Sequence, residues 1–161
     1  MRSFMLPSKS RVIAALQERA KEALEAAQRA QAIATDEATS EHSKSEGKYD
    51  TRATEASYLA RGQAQRVVQL RDLVAWYDQL DREASLSTVC PGALVRLEGD
   101  RSQTLFVSPV GGGSVDVDGI QVKTISLASP LGRALSGLME GDDVEFKTPG
   151  GTKELEILQL L

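Results

Sequence analysis

The chain has 161 residues, of which 41% are hydrophobic and only 4% aromatic, and its formal charge is −4. That length holds one domain or two small ones around a modest core, and the shortage of aromatics beside many alanines predicts that part of the chain packs as close helices. Residues 1–87 carry 13 basic and 13 acidic side chains and residues 88–161 carry 6 and 10, so the second half holds the whole deficit and the basic stripe of a duplex-DNA binder is missing.

Cys90 is the single cysteine, which excludes an internal disulfide framework and a cysteine zinc site and fits a reducing compartment. The opening "MRSFMLPSKSR" has too short an apolar run for a signal peptide, and no later segment approaches a membrane span. The expectation is a cytoplasmic protein with no membrane contact.

Pro7 and Ser8 make a helix start, because proline lacks the amide hydrogen that a first turn leaves unpaired. From there Ile13, Leu16, Ala20, Ala23, Ala27, Ala30 and Ala34 follow alternating steps of three and four, the mark of a heptad seam. Ala56, Ala60, Gln63, Val67, Leu70, Val74 and Tyr77 repeat the pattern on a return stretch, and no proline interrupts residues 8–90. Two long antiparallel helices are therefore expected, a coiled-coil domain over residues 1–87. At about 1.5 Å per residue, the roughly 32 residues before the reversal span about 50 Å. Alanines line the half of the first helix nearer the reversal, while Leu70, Leu73, Val74, Trp76 and Tyr77 gather toward the far end of the second. The hairpin reads as a probe, thin at its tip and bulky at its base; a dimerisation element is the plainer alternative.

The reversal "SEHSKSEGKYD", residues 40–50, holds Glu41, Glu46 and Asp50 together with His42, the one histidine of the chain. Read by itself it is an acidic tip, or a solvated turn whose acids are balanced by Lys44 and Lys48. His42 supports no catalytic assignment: imidazole suits zinc or copper better than Mg²⁺, and no nucleophile and acid stand at triad spacing.

After "REASLSTVCPG" the period changes. "GALVRLE", "QTLFVS", "IQVKTIS", "DVEFKT" and "KELEILQL" are short β-prone runs separated by glycine or acidic turns, with "SPLGRALSGL" as one short helix among them. Residues 88–161 are expected to form a small, mostly antiparallel sheet with a helix on one face. "GGG" at Gly111–Gly113 is not followed by a helical pattern and reads as a turn, not a phosphate cradle, and "PGG" at Pro149–Gly151 reads as a tight hairpin.

"SPLGRALSGLMEGDDVEFKTPGG", residues 129–151, resembles the carboxy-terminal signature of the bacterial Gre transcript-cleavage factors, and the order of parts, coiled coil then sheet domain, is similar over essentially the whole chain. The resemblance implies an α+β protein whose second domain is FKBP-like and docks on RNA polymerase as a monomer. It also implies that the coiled coil enters the enzyme's secondary channel, where tip carboxylates help hold a catalytic Mg²⁺ beside the nascent RNA 3′ end. The factor would act as an accessory, not an enzyme, with no cofactor of its own and only a Mg²⁺ shared with the polymerase. Carboxylate oxygens are the ligands Mg²⁺ prefers, and a metal pair stabilises both the attacking and the leaving oxygen of phosphoryl transfer.

Counted back from Tyr49, with Tyr58 also in register, the family's tip Asp and Glu positions fall on His42 and Ser45. Neither replaces a Mg²⁺ carboxylate, so transcript cleavage is expected to be weak or absent. Glu46 and then Glu41 are the candidates for residual metal contact, with Asp50 as a third tip acid. Each is displaced from a family position, and a one-residue shift turns a side chain by about 100° on a helix. A loop could compensate, which keeps open an active cleavage factor with a shifted tip. Ser129, Pro130, Leu131 and Gly132 match the family's polymerase-docking turn, and the same residues read equally as a helix start capped by Ser129. Of Arg52, Arg61, Arg66 and Arg71, which spread around the second helix, Arg52 is near enough to the tip for RNA contact. A prolyl isomerase is the remaining alternative from the fold, set against only two phenylalanines, Phe106 and Phe146, in the second domain.

Overall fold

The computed structural model describes residues 5–44 and 51–161, with the backbone alone for 41–44. By internal contacts the chain forms two units: one is Gln17–Gln79, and the other joins Met1–Leu16 to Leu80–Leu161.

Helix α1 (Lys9–Lys44) starts where the sequence places it. The Ser8 carbonyl accepts the first intrahelical bond from the Val12 amide at 2.9 Å, and the Ser8 hydroxyl accepts from the Arg11 amide at 3.4 Å, so one of the amides left over by a first turn is satisfied. The return helix is α2 (Thr51–Gln79). Along α1 the seam residues Ala20, Ala27 and Ala34 are buried and Ala23 and Ala30 half-buried. On α2, Val67, Leu70 and Tyr77 are buried and Ala56, Ala60, Gln63 and Val74 half-buried, and the seam extends one step earlier to the buried Ala53. Ala27 packs with Val67 and Leu70, while Gln17, early in α1, donates to the Asp78 carboxylate late in α2. The pairing of α1 with α2 is therefore antiparallel.

The second unit is a six-stranded mixed sheet with one short helix. Its strands are β1 (Leu94–Glu98), β2 (Gln103–Val107), β3 (Ser114–Val117), β4 (Ile120–Ile125), β5 (Asp143–Thr148) and β6 (Gly151–Leu160), and α3 (Pro130–Leu135) lies between β4 and β5. The spatial order is β3-β4-β2-β1-β6-β5, with β2 and β4 parallel and every other neighbour antiparallel. The five expected runs are all strands. The sixth, β3, pairs with β4 through a two-residue turn at Asp118 and Gly119, both at positive φ (55° and 76°), as a hairpin turn with right-handed strand twist demands. The glycine run at 111–113 leads into β3, not into a helix. Pro149 and Gly150 join Thr148 to its partner Gly151, the tight hairpin read from "PGG".

One sheet face packs against α3: Val95, Leu97, Leu105, Val107, Val144, Leu155 and Ile157 form a core with Leu135, and Leu131 and Leu138 flank it. Leu94, its cross-strand partner Phe106, and Val122 are also fully buried, as are Val12 and Ile13 in the first turns of α1. Ile13 and Leu16, read from their spacing as the first seam positions of the coil, thus group with the sheet. Three polar contacts fasten this segment: the Leu6 amide donates to Gln159 Oε1 at 3.1 Å, Lys9 Nζ donates to the Ala84 carbonyl at 2.9 Å, and Arg11 pairs with Asp118. Lys9 is only 8% exposed. Its burial pushes the ammonium pKa below the ordinary 10.5, an effect that Cys90 and Asp81 partly oppose.

Toward β5 the sheet carries like charges on neighbouring strands. Glu156 stands opposite both Glu98 and Asp143, and Glu145 opposite Glu154.

Candidate functional site

The turn into α3 is built from Ser126 to Gly132. Ser129 is extended (φ −71°, ψ 158°) and caps the helix, its hydroxyl accepting from the Gly132 amide at 3.1 Å and donating to the Ser126 carbonyl at 2.7 Å. That carbonyl also accepts from the Ser129 amide at 3.1 Å, and the Ser126 hydroxyl accepts from Ala128 at 3.1 Å. Pro130 occupies the first turn, where its missing amide costs nothing. The cap at Ser129 and the proline in the first turn follow from the "SPLG" order of residue types.

Gly132 explains why the turn is so tight. A Cβ there would lie 2.8 Å from Leu127 Cα and from the Ser126 carbonyl carbon, and closer still to the Ser126 oxygen. No side chain fits between helix and incoming backbone. Gly132 is buried, Ser129 and Leu131 are half-buried with Leu131 against the core, and Pro130 and Ala128 are exposed. The four docking candidates therefore sit together, and Pro130 presents its ring to solvent on a rigid base.

Of the tip residues, Glu41 and His42 fall within α1, which runs to Lys44. Ser45, Glu46 and Asp50 lie outside the described residues. Among the described residues no group of three or more His, Cys, Asp or Glu side chains could hold a metal ion. An imidazole at His42 and a hydroxyl at Ser45 are not the hard carboxylate oxygens that Mg²⁺ takes.

Arg52 is exposed in the first turn of α2, and Arg61, Arg66 and Arg71 are exposed farther along it. Tyr58 is a register mark in the sequence. In the structure Tyr58 is 67% exposed, with the Arg61 guanidinium carbon 5.9 Å from the ring centroid. Its place between seam residues, on the outer side of the heptad, was the available signal.

Among the described residues, Phe106 and Phe146 form no aromatic proline pocket. Phe106 is fully buried and Phe146 packs against the core. No helix among the described residues is long and apolar enough to cross a membrane.

Residues 84–161 match the family described as "Transcription elongation factor, GreA/GreB, C-term". The chain is 37% identical over 132 residues to transcription elongation factor GreA of Beijerinckia indica, covering 81% of this chain and 79% of that one. It is 36% identical over 112 residues to transcription elongation factor GreA of Rhizobium etli, covering 65% and 69%. Among solved structures it is similar to GreA factor homolog 1 (Gfh1) of Thermus thermophilus, at 23% identity and a TM-score of 0.38 over 90% of this chain and 94% of that one.

Proposed function

The chain belongs to the GreA/GreB family of transcription elongation factors, and from that membership we propose that it binds RNA polymerase through its sheet unit and reaches the active centre with its coiled coil through the secondary channel. The observation that carries the docking half is the turn at Ser129–Gly132: a capped, glycine-locked helix start that holds an exposed proline in one orientation. A preformed surface of this kind loses little conformational freedom on binding.

Cleavage stimulation by this chain is weak or absent. A carboxylate at each aligned tip position would supply hard oxygen ligands to a Mg²⁺ shared with the polymerase, and His42 and Ser45 supply none. The chain then acts as an occupant of the channel that alters elongation without strong nuclease stimulation. It brings no cofactor, works beside the nascent RNA 3′ end, and acts where bacterial polymerase does, in the cytoplasm. The reading in which Glu46 and Glu41 form a shifted, active tip requires both acids to reach the metal, and Glu41 belongs to α1, whose backbone is already helical there.

The docking half is tested by pull-down of polymerase with a Ser129→Ala/Pro130→Ala double variant. Association is expected to fall while amide exchange shows the sheet unit still folded. Unchanged association by a folded variant would remove this turn from the interface.

A further inference from the structure

The first half of α2 displays an aromatic ring that the coil does not use. Tyr58 is 67% exposed, and its neighbours one turn along are Arg61, with its guanidinium over the ring, and Gly62. A helical side chain covers the surface over the turn before its own Cα, so residue 62 is the one that would shelter position 58. Glycine leaves that shelter off. It has no packing reason to be there, since a Cβ at 62 would meet nothing within 4 Å, and glycine weakens a helix interior relative to alanine. A local choice that works against the helix without a packing gain marks a place where function sets the residue.

We propose that Tyr58, Arg61 and Gly62 form a stacking platform for one unpaired RNA base. The ring offers the face that Arg61 does not cover, the bare position at 62 leaves room for a flat base, and the Arg61 guanidinium over the other face supplies positive charge for the adjoining phosphate. Stacking tolerates any base because every base has a π face, which suits a factor that must act on transcripts of any sequence. Thr54, Glu55 and Gln65, one and two turns away, are exposed and polar, and the exposed Leu59 next in the chain is one apolar neighbour, short of the closed apolar surround that a protein hot spot needs. The choice of RNA as the nucleic acid rests on the elongation-factor reading above.

The test uses the full chain and a single-stranded 12-mer RNA carrying 5-iodouridine, irradiated and mapped by mass spectrometry. The crosslink is expected at Tyr58, kept in Tyr58→Phe, absent with duplex RNA, and reduced about tenfold in Gly62→Leu although that variant gains helicity by circular dichroism. Crosslinks that avoid residue 58, or an undiminished yield in Gly62→Leu, would overturn the platform. Polymerase association measured on the same variants separates the two readings: association intact with the crosslink missing refutes the platform alone, whereas wild-type chain that fails to bind polymerase but crosslinks at Tyr58 refutes the elongation reading and supports the platform.

Discussion

The same substitution, glycine to alanine, should act with opposite sign at Gly62 in α2 and Gly132 in α3. At Gly62 a Cβ meets nothing within 4 Å, so alanine brings only its better helix propensity, a gain of about 1 kcal/mol. At Gly132 the new carbon would lie 2.8 Å from backbone carbons of Leu127 and Ser126 and nearer still to the Ser126 oxygen, none of which is the loose end of a flexible side chain. Relief requires α3 to move away from the turn, and that movement stretches the bonds from Ser129 to Ser126, 2.7 Å and 3.1 Å long. Overpacking costs about 1–3 kcal/mol and a lost cap about 1 kcal/mol, against about 1 kcal/mol regained in propensity, which leaves a net loss of about 2 kcal/mol. Hydrogen exchange reads this directly, because the Arg133 and Ser136 amides are held by the Ser129 and Gly132 carbonyls at 2.9 Å and 3.0 Å. A loss of about 2 kcal/mol lowers their protection roughly thirtyfold, while Gly62→Ala should raise the midpoint of the helix signal at 222 nm. Wild-type protection in Gly132→Ala would show that the turn yields freely and that its rigidity is not a basis for docking.

Two further outcomes test the electrostatics of the sheet unit. Because burial holds the Lys9 pKa below 10.5, the unfolded chain binds more protons than the folded one between the lowered value and 10.5, so this group's penalty is full below that window and disappears as pH rises through it. The stability difference between Lys9→Met and wild type, from urea midpoints at several pH values, should shift in favour of wild type as pH climbs through the window; a shift in favour of the variant would contradict the burial. Glu156→Lys replaces two like-charge pairs, with Glu98 and Asp143, by two opposite ones. It should stabilise the sheet by about 0.5–1 kcal/mol at low salt, with less gain at 1 M salt where the screening length is about 3 Å, and destabilisation at low salt would show that the pairs are not in contact.

Much of the fold was legible because its signals are local. Heptad spacing located the seam from Ala20 to Ala34 and from Ala56 to Tyr77, Ser8 and Ser129 announced helix starts, and "PGG" announced a hairpin. Period alone does not say which partner covers a helix face, which is why Ile13 and Leu16 fit the coil's spacing yet group with the sheet. Strand β3 escaped because "SVDV" is only four residues long and follows three glycines; Asp118-Gly119 was its one short-range signal. The burial of Lys9 depends on a carbonyl 75 residues away and has no local mark. At the candidate docking turn, the cap was readable from residue types, whereas the lock at Gly132 needs the position of the Ser126–Leu127 backbone. Tyr58 lies on the outer side of the heptad, which marks its exposure in the sequence, whereas the Arg61 guanidinium over its ring needs the coordinates of both side chains.

Transcript cleavage by stalled RNA polymerase complexes, with wild-type chain and with His42→Asp/Ser45→Glu, tests the central claim most directly. Wild type should bind the complexes and leave cleavage near its intrinsic rate, while the double variant, with carboxylates restored at both aligned positions, should raise it. Strong cleavage by wild type that collapses in Glu41→Ala and Glu46→Ala would contradict the account, because the tip would then work through displaced acids.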